Sequence, residues 1–247
     1  MTTWIAVGGI GLLVGFLGGL FGKGGSAVAT PLLHAVGFPA IVAVASPLPA
    51  TLPGTVAAAD TYRGAGLVDR RVVGWSLATG VPATIAGALA TRWIAGGALV
   101  ATTEVLLVLI GLRVLVGRDH AELLADDEPA PRGLLLAVGA VVGLAAGLLA
   151  NSGGFLLAPL YLAVVRLPIK PALAASLAVS AVLAVPGTIV HAALGHIDWT
   201  VTAVLALTSL PAARFGARVA LATQSRRLER IYGAGLAALG LALLALR

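Results

Sequence analysis

Two short stretches set glycine and polar side chains inside apolar surroundings: "KGGS" (Lys23, Gly24, Gly25, Ser26) and "NSGG" (Asn151, Ser152, Gly153, Gly154). Each precedes a brief apolar run that carries a proline, Pro31 or Pro159. A helix starting at such a point presents N–H groups with no partner in its own ladder and the positive end of its dipole. Glycine lets a ligand approach that backbone closely. The chemistry expected is therefore anion binding. Ser26, Asn151 and Ser152 add side-chain donors. Lys23 adds a full positive charge, which in the middle of an apolar span costs on the order of 2.5 to 3.5 kcal/mol and which an anion would offset. The competing use of the same residues is structural, with glycines allowing helices to pack closely and the lysine reaching along its stem to a surface.

Such motifs need elements to hold them. The chain is 59% hydrophobic, 11% charged and has a mean hydropathy of +1.03, far from the soluble norm of about 25% charged residues. It reads as an all-α polytopic membrane protein, because its apolar runs approach the ~20 residues a helix needs to cross a bilayer rather than the ~10 of a barrel strand. Ten segments are expected, at 3–21, 25–36, 39–59, 72–91, 95–116, 133–150, 153–165, 168–194, 200–220 and 231–246. The opening stretch lacks the basic n-region of a signal peptide and reads as the first helix. With no cysteine and four scattered histidines, neither a metal site nor a cofactor is expected. The net charge of +6 fits basic cytoplasmic loops better than nucleic-acid binding. The partners expected are the lipid bilayer and a small anion, and a homo-oligomer is left open.

The hydrophilic stretch 117–132 divides the chain into a first repeat, 1–116, and a second, 133–247. "GFLGGLFGKGGSAVATPLL" (15–33) aligns with "GLAAGLLANSGGFLLAPLY" (143–161). Gly66, Asp69, Pro82 and Gly87 recur in the later half, at one constant offset, as Gly195, Asp198, Pro211 and Gly216. If the segments alternate across the membrane, nearly all Lys and Arg fall on one side. That places the amino terminus outside the inner membrane. Five segments per half then make the repeats inverted, as in many secondary transporters, and segments 25–36 and 153–165 become half-helices starting inside the membrane. The expected mechanism is alternating access by a carrier. An anion channel shares every one of these features, and a remote alternative is an intramembrane serine hydrolase using Ser152 with His191. Glu104, well inside the fifth segment, is a candidate coupling residue, with a structural role as its alternative. Pro47, Pro49, Pro53 and Pro186 are expected to kink the third and eighth segments.

The ten-segment inverted arrangement and its paired glycine motifs resemble the TauE/SafE family of sulfite and organosulfonate exporters. Gly22, Gly24 and Gly25 match the family's first motif, and Gly153 and Gly154 its second, followed by "TPLL" and "APLY". The family's turn is matched by "GLVD" (66–69) and "GHID" (195–198), and its serine by Ser46 in "AVASPL" and Ser176 in "LAASLA". The resemblance implies export of a small sulfur-containing oxyanion, such as sulfite or an organosulfonate, and adds Ser46 and Ser176 to the substrate-binding candidates. This chain departs from the family pattern at Lys23, at Ser26 and at "ANS" before Gly153.

Overall fold

A computed structural model describes residues 2–22, 26–94, 105, 130–232 and 234. Among these residues every regular element is helical. The first part of the chain forms α1 (Thr2–Phe21), the short α2 (Ser26–Ala35), α3 (Ala40–Ala45), α4 (Pro47–Gly64) and α5 (Arg70–Ala90), closed by a 3-10 turn at Thr91–Trp93. The later part forms α6 (Arg132–Leu148), the short α7 (Gly154–Ala163), α8 (Ile169–Ala193) and α9 (Trp199–Ala222), and residues 225–232 are again helical. The expected segment 95–116 except residue 105, most of the linker 117–132 and most of the segment 231–246 lie outside the described residues, as do Lys23, Gly24, Gly25 and Glu104.

Among the described residues, five helical stretches are long and apolar enough to cross a membrane: Thr3–Phe21, Ala40–Gly64, Arg70–Trp93, Ile169–Ala193 and Trp199–Ala222. Ile5, Val141, Ile189, Leu207 and Phe215 are left largely exposed around the bundle, as the faces of a multi-pass protein that meet lipid should be. The two "G-x-V/I-D" turns act as paired stop and start signals. Gly66 and Gly195 take φ of +71° and +70° after α4 and α8. Asp69 and Asp198 then cap α5 and α9, each Oδ1 accepting from the N–H groups two and three residues on.

The proline-rich third segment breaks between α3 and α4 at Ser46, because Pro47 and Pro49 cannot donate to the ladder. α8, by contrast, is one helical element through Pro186. A single missing donor does not interrupt it.

Residues with positive φ fall at matching offsets along the chain. Positive φ occurs at Gly22 and Ala150, at Gly37 and Arg166, and at Gly66 and Gly195, each pair joining equivalent places in the two halves. The halves also exchange partners, α1 packing on α9 and α6 on α5. Glycine rows make both contacts. A β-carbon on Gly15 or Gly19 would strike the carbonyls of Ser209 or Ala213, and one on Gly139, Gly143 or Gly147 those of Ser76, Gly80 or Thr84. Small residues every four positions let backbones approach where lipid supplies no hydrophobic drive. Close packing of this kind is made by glycines within α1 and α6, and also by Gly22 and Gly153 at the breaks, where a β-carbon would strike Leu173 or Val142.

Candidate anion site

The chain leaves α6 through Leu149 and Ala150, the latter at φ +44°, and Asn151 N–H closes back on Ala146 O at 2.9 Å. Asn151 Oδ1 then accepts Gly153 N–H at 2.7 Å, a local turn that asparagine is suited to make. Gly153 sits at φ +75°, and a β-carbon there would fall 2.8 Å from Val142 Cγ1. Both facts require glycine. α7 follows, and its ladder begins with Leu156 and Leu157 N–H on Gly153 O. The N–H groups of Gly154 and Phe155 lie ahead of that ladder.

The start of α2 meets this turn. Ser152 N–H donates to Ser26 Oγ at 3.2 Å, joining residues from the two halves. Ser176, on α8, seals the junction from the side: its hydroxyl lies 2.7 Å from Gly22 O and 3.2 Å from Gly154 O. Ser26, Asn151, Ser152 and Ser176 are all buried. Neither α2 nor α7 has an acidic residue in its first turn, so no carboxylate from there opposes an anion at the helix starts.

Asn151 supplies the observation that points to a ligand. Its Nδ2 is buried with no hydrogen-bond partner, in a residue only 1% exposed. An unpaired buried amide donor costs about 1 to 3 kcal/mol, and a bound anion would remove that cost. Ser180 Oγ, one turn beyond Ser176 on the same face of α8, is likewise buried and unpartnered. Sequence reasoning passes over Ser180, although its spacing of four from Ser176 is the available signal.

Ser26, Asn151, Ser152, Gly153, Gly154 and Ser176 thus come together at one junction. Ser46 does not join them. Its Oγ accepts Asp198 N–H at 2.9 Å and its carbonyl accepts Thr202 Oγ1–H at 3.1 Å, so it ties the α3–α4 break to the start of α9. The reason is register: Ser46 is six residues past the start of α3, whereas Ser176 is seven past the start of α8, and one residue turns a side chain about 100° around a helix. His191 is also engaged elsewhere, with His196 and with Gly147 O. No hydrogen bond links it to Ser152, so the arrangement a serine hydrolase would need is absent between these two residues.

A bundle of membrane-length helices with short helices that follow glycine-rich breaks and start beside one another fits a multi-pass membrane transporter. The chain belongs to the family described as "Sulfite exporter TauE/SafE", which matches residues 7–243, and this is a family of membrane transporters rather than enzymes. Two relatives named "Probable membrane transporter protein", from Xylella fastidiosa strains 9a5c and Temecula1 / ATCC 700964, are each 29% identical over 238 residues, covering 91% of this chain and 88% of the relative. No solved structure matches the chain.

Proposed function

We propose that the protein is a carrier for a small sulfur-containing oxyanion, such as sulfite or an organosulfonate, and that the junction of the two short helices is its binding seat. The donors would be the backbone N–H of Gly154 and the side chains of Ser26, Asn151 and Ser152, with Gly153 and Ser176 shaping the seat through their bonds to Asn151 Oδ1 and to the Gly22 and Gly154 carbonyls. Lys23 would be the counter-charge, with Gly24 and Gly25 completing the cradle. The single observation that carries the reading is the unpartnered Nδ2 of Asn151 beside two helix starts drawn from different halves. The family's printed description supports the substrate class.

The exchange of helix partners between halves supports two inverted repeats, 1–116 and 133–247, rocking against each other in alternating access. The bias of Lys and Arg toward one set of loops supports an inner-membrane protein with its amino terminus outside. Carrier and channel part company in counterflow: substrate loaded inside liposomes should accelerate uptake of labelled substrate, and a flux indifferent to the trans side would identify a channel.

The site is tested by Asn151→Asp. This change keeps the oxygen that accepts from Gly153 N–H but replaces the free donor with a negative charge. Affinity for sulfite or an organosulfonate, titrated on purified protein, should fall by about a hundredfold or more, equivalent to ~2.8 kcal/mol, while the melting temperature without ligand stays close to that of the parent. Undiminished affinity would remove Asn151 from the seat.

A further inference from the structure

Gly147 lies in the last turn of α6, four residues before Asn151, and its carbonyl accepts both Ala150 N–H at 3.3 Å and His191 Nε2–H at 3.2 Å. A carbonyl brings no proton, so His191 must donate from Nε2. In a neutral imidazole that leaves Nδ1 as an acceptor, and it faces Nδ1 of His196 at 3.1 Å. His196 therefore donates from Nδ1 and keeps its own lone pair on Nε2. His191 is fully buried. His196 lies in the turn between α8 and α9 and is partly exposed.

We propose that these two histidines form a proton-binding site linked to the anion seat, with His196 as the entrance and His191 as the resting place. A proton from water adds to Nε2 of His196. The proton on Nδ1 of His196 then crosses to Nδ1 of His191. The product is an imidazolium at His191, donating from both nitrogens, beside a neutral His196 that carries its hydrogen on Nε2. One proton has entered, and only N–H bonds have formed or broken. A second is excluded, because it would set two N–H groups against each other.

The charge arrives at the C-terminal end of α6, where the helix dipole favours a cation, close in sequence to the turn that carries Asn151. An anion in the seat and a proton on the pair attract each other, and the linkage is reciprocal. This part rests on the carrier reading above. Burial holds the His196 imidazole below its ordinary range, so the site is neutral near pH 7 until an anion draws the proton in.

No other group among the described residues is placed to take this role. α6 carries no ionisable side chain beyond Arg132 at its far end, and α7 has only Tyr161, which donates to Ser76 Oγ. α4 has Asp60, Tyr62 and Arg63 at its distant end, and Tyr62 is bonded to Gly19 O. α5 has Arg70 and Arg71 at its start, and beyond its end the Arg92 guanidinium stands over Trp93. α8 itself adds only Lys170, bonded to Leu221 O. At the start of α9, the Asp198 carboxylate is engaged by Thr200 and Val201 N–H, and Arg214 and Arg218 lie further along that helix.

The test uses methanesulfonate, which stays ionised across the working range, and purified full-length protein. Its Kd should fall about tenfold between pH 7.5 and 5.5, within the usual span of such couplings. The fall should shrink to twofold or less in His196→Gln and in His191→Tyr, the latter copying the residue of the other half. A pH dependence equal to the parent's in both variants overturns the proposal. 15N-histidine NMR without ligand separates this inference from the carrier reading. A coupled titration of His191 and His196 that His196→Gln abolishes supports the pair even where methanesulfonate fails to bind, and independent titration of each ring near pH 6.5 overturns it.

Discussion

Gly19 and Gly147 occupy equivalent last turns of α1 and α6, and each carbonyl accepts a bond from a side chain on the helix that packs across it. In the first half the donor is Tyr62 Oη at 3.5 Å, and in the second it is His191 Nε2 at 3.2 Å. Tyr62 and His191 are themselves counterparts in the repeat, each standing four positions ahead of its turn glycine, Gly66 or Gly195. The contact is preserved while its chemistry is not. A phenol can only donate there near neutral pH, whereas an imidazole can also take up a proton. A similar divergence appears nearby. Tyr161 donates to Ser76 Oγ at 2.7 Å, while the equivalent positions of the other half, Leu33 and Leu205, belong to an apolar cluster. Likewise Gly54, Thr51 and Ser209 line a small, partly open cleft between α1, α4 and α9. Leu183, the counterpart of Gly54, is a buried side chain within 3.1 Å of where a β-carbon on Gly80 would stand. The shared backbone fixes where the short helices start, and the side chains that differ make one half polar where the other is greasy or open.

That comparison can be strained from the backbone outward. The largest effect is expected where the halves are alike. Gly143→Leu and Gly15→Leu each drive a side chain into the partner helix's carbonyls, at Gly80 or Ser209, and each should cost about 3 kcal/mol or more. Gly74→Leu, which meets nothing within 4 Å, should be nearly neutral. Melting temperatures of the three purified variants would expose an asymmetry if only one of the first two mattered.

A smaller effect is expected at the position where the motifs differ most, Lys23 against Asn151. Lys23→Ala should weaken anion binding about tenfold, or ~1.4 kcal/mol, and leave the melting temperature of the empty protein unchanged. Unaltered affinity in a titration would confine the seat to the Asn151 side. The smallest effect belongs to the caps. Asp69→Ala and Asp198→Ala remove equivalent N-cap acceptors and should each lower stability by about 1 kcal/mol. A cost several-fold greater at one of them, in thermal melts of the pair, would show that the two turns no longer share a role.

Much of this architecture is legible in the sequence because it is local. The bounds of α1, α5, α7, α8 and α9 lie within a few residues of the expected segments, since apolar length, the caps at Asp69 and Asp198 and the positive-φ glycines are written in consecutive residues. The candidate site is legible in part. Glycine-rich breaks announce Ser26 and residues 151–154, but nothing in the spacing reveals that Ser152 N–H meets Ser26 Oγ in the other half. Ser46 misleads for a related reason: an Ala-rich approach followed by serine resembles that of Ser176, yet one residue of helical register separates their directions. The bonds from Tyr62 and His191 to glycine carbonyls are illegible because they depend on which helices cross, and that is decided by glycine rows whose partners lie in the other half.

The hydroxyl of Ser176 has a single hydrogen and two carbonyls within its reach, Gly22 O at 2.7 Å and Gly154 O at 3.2 Å. It can satisfy only one of them at a time. A displacement of the end of α1 relative to the start of α7 would therefore trade one bond for the other instead of simply breaking it, at the cost of a rotation about one side-chain torsion.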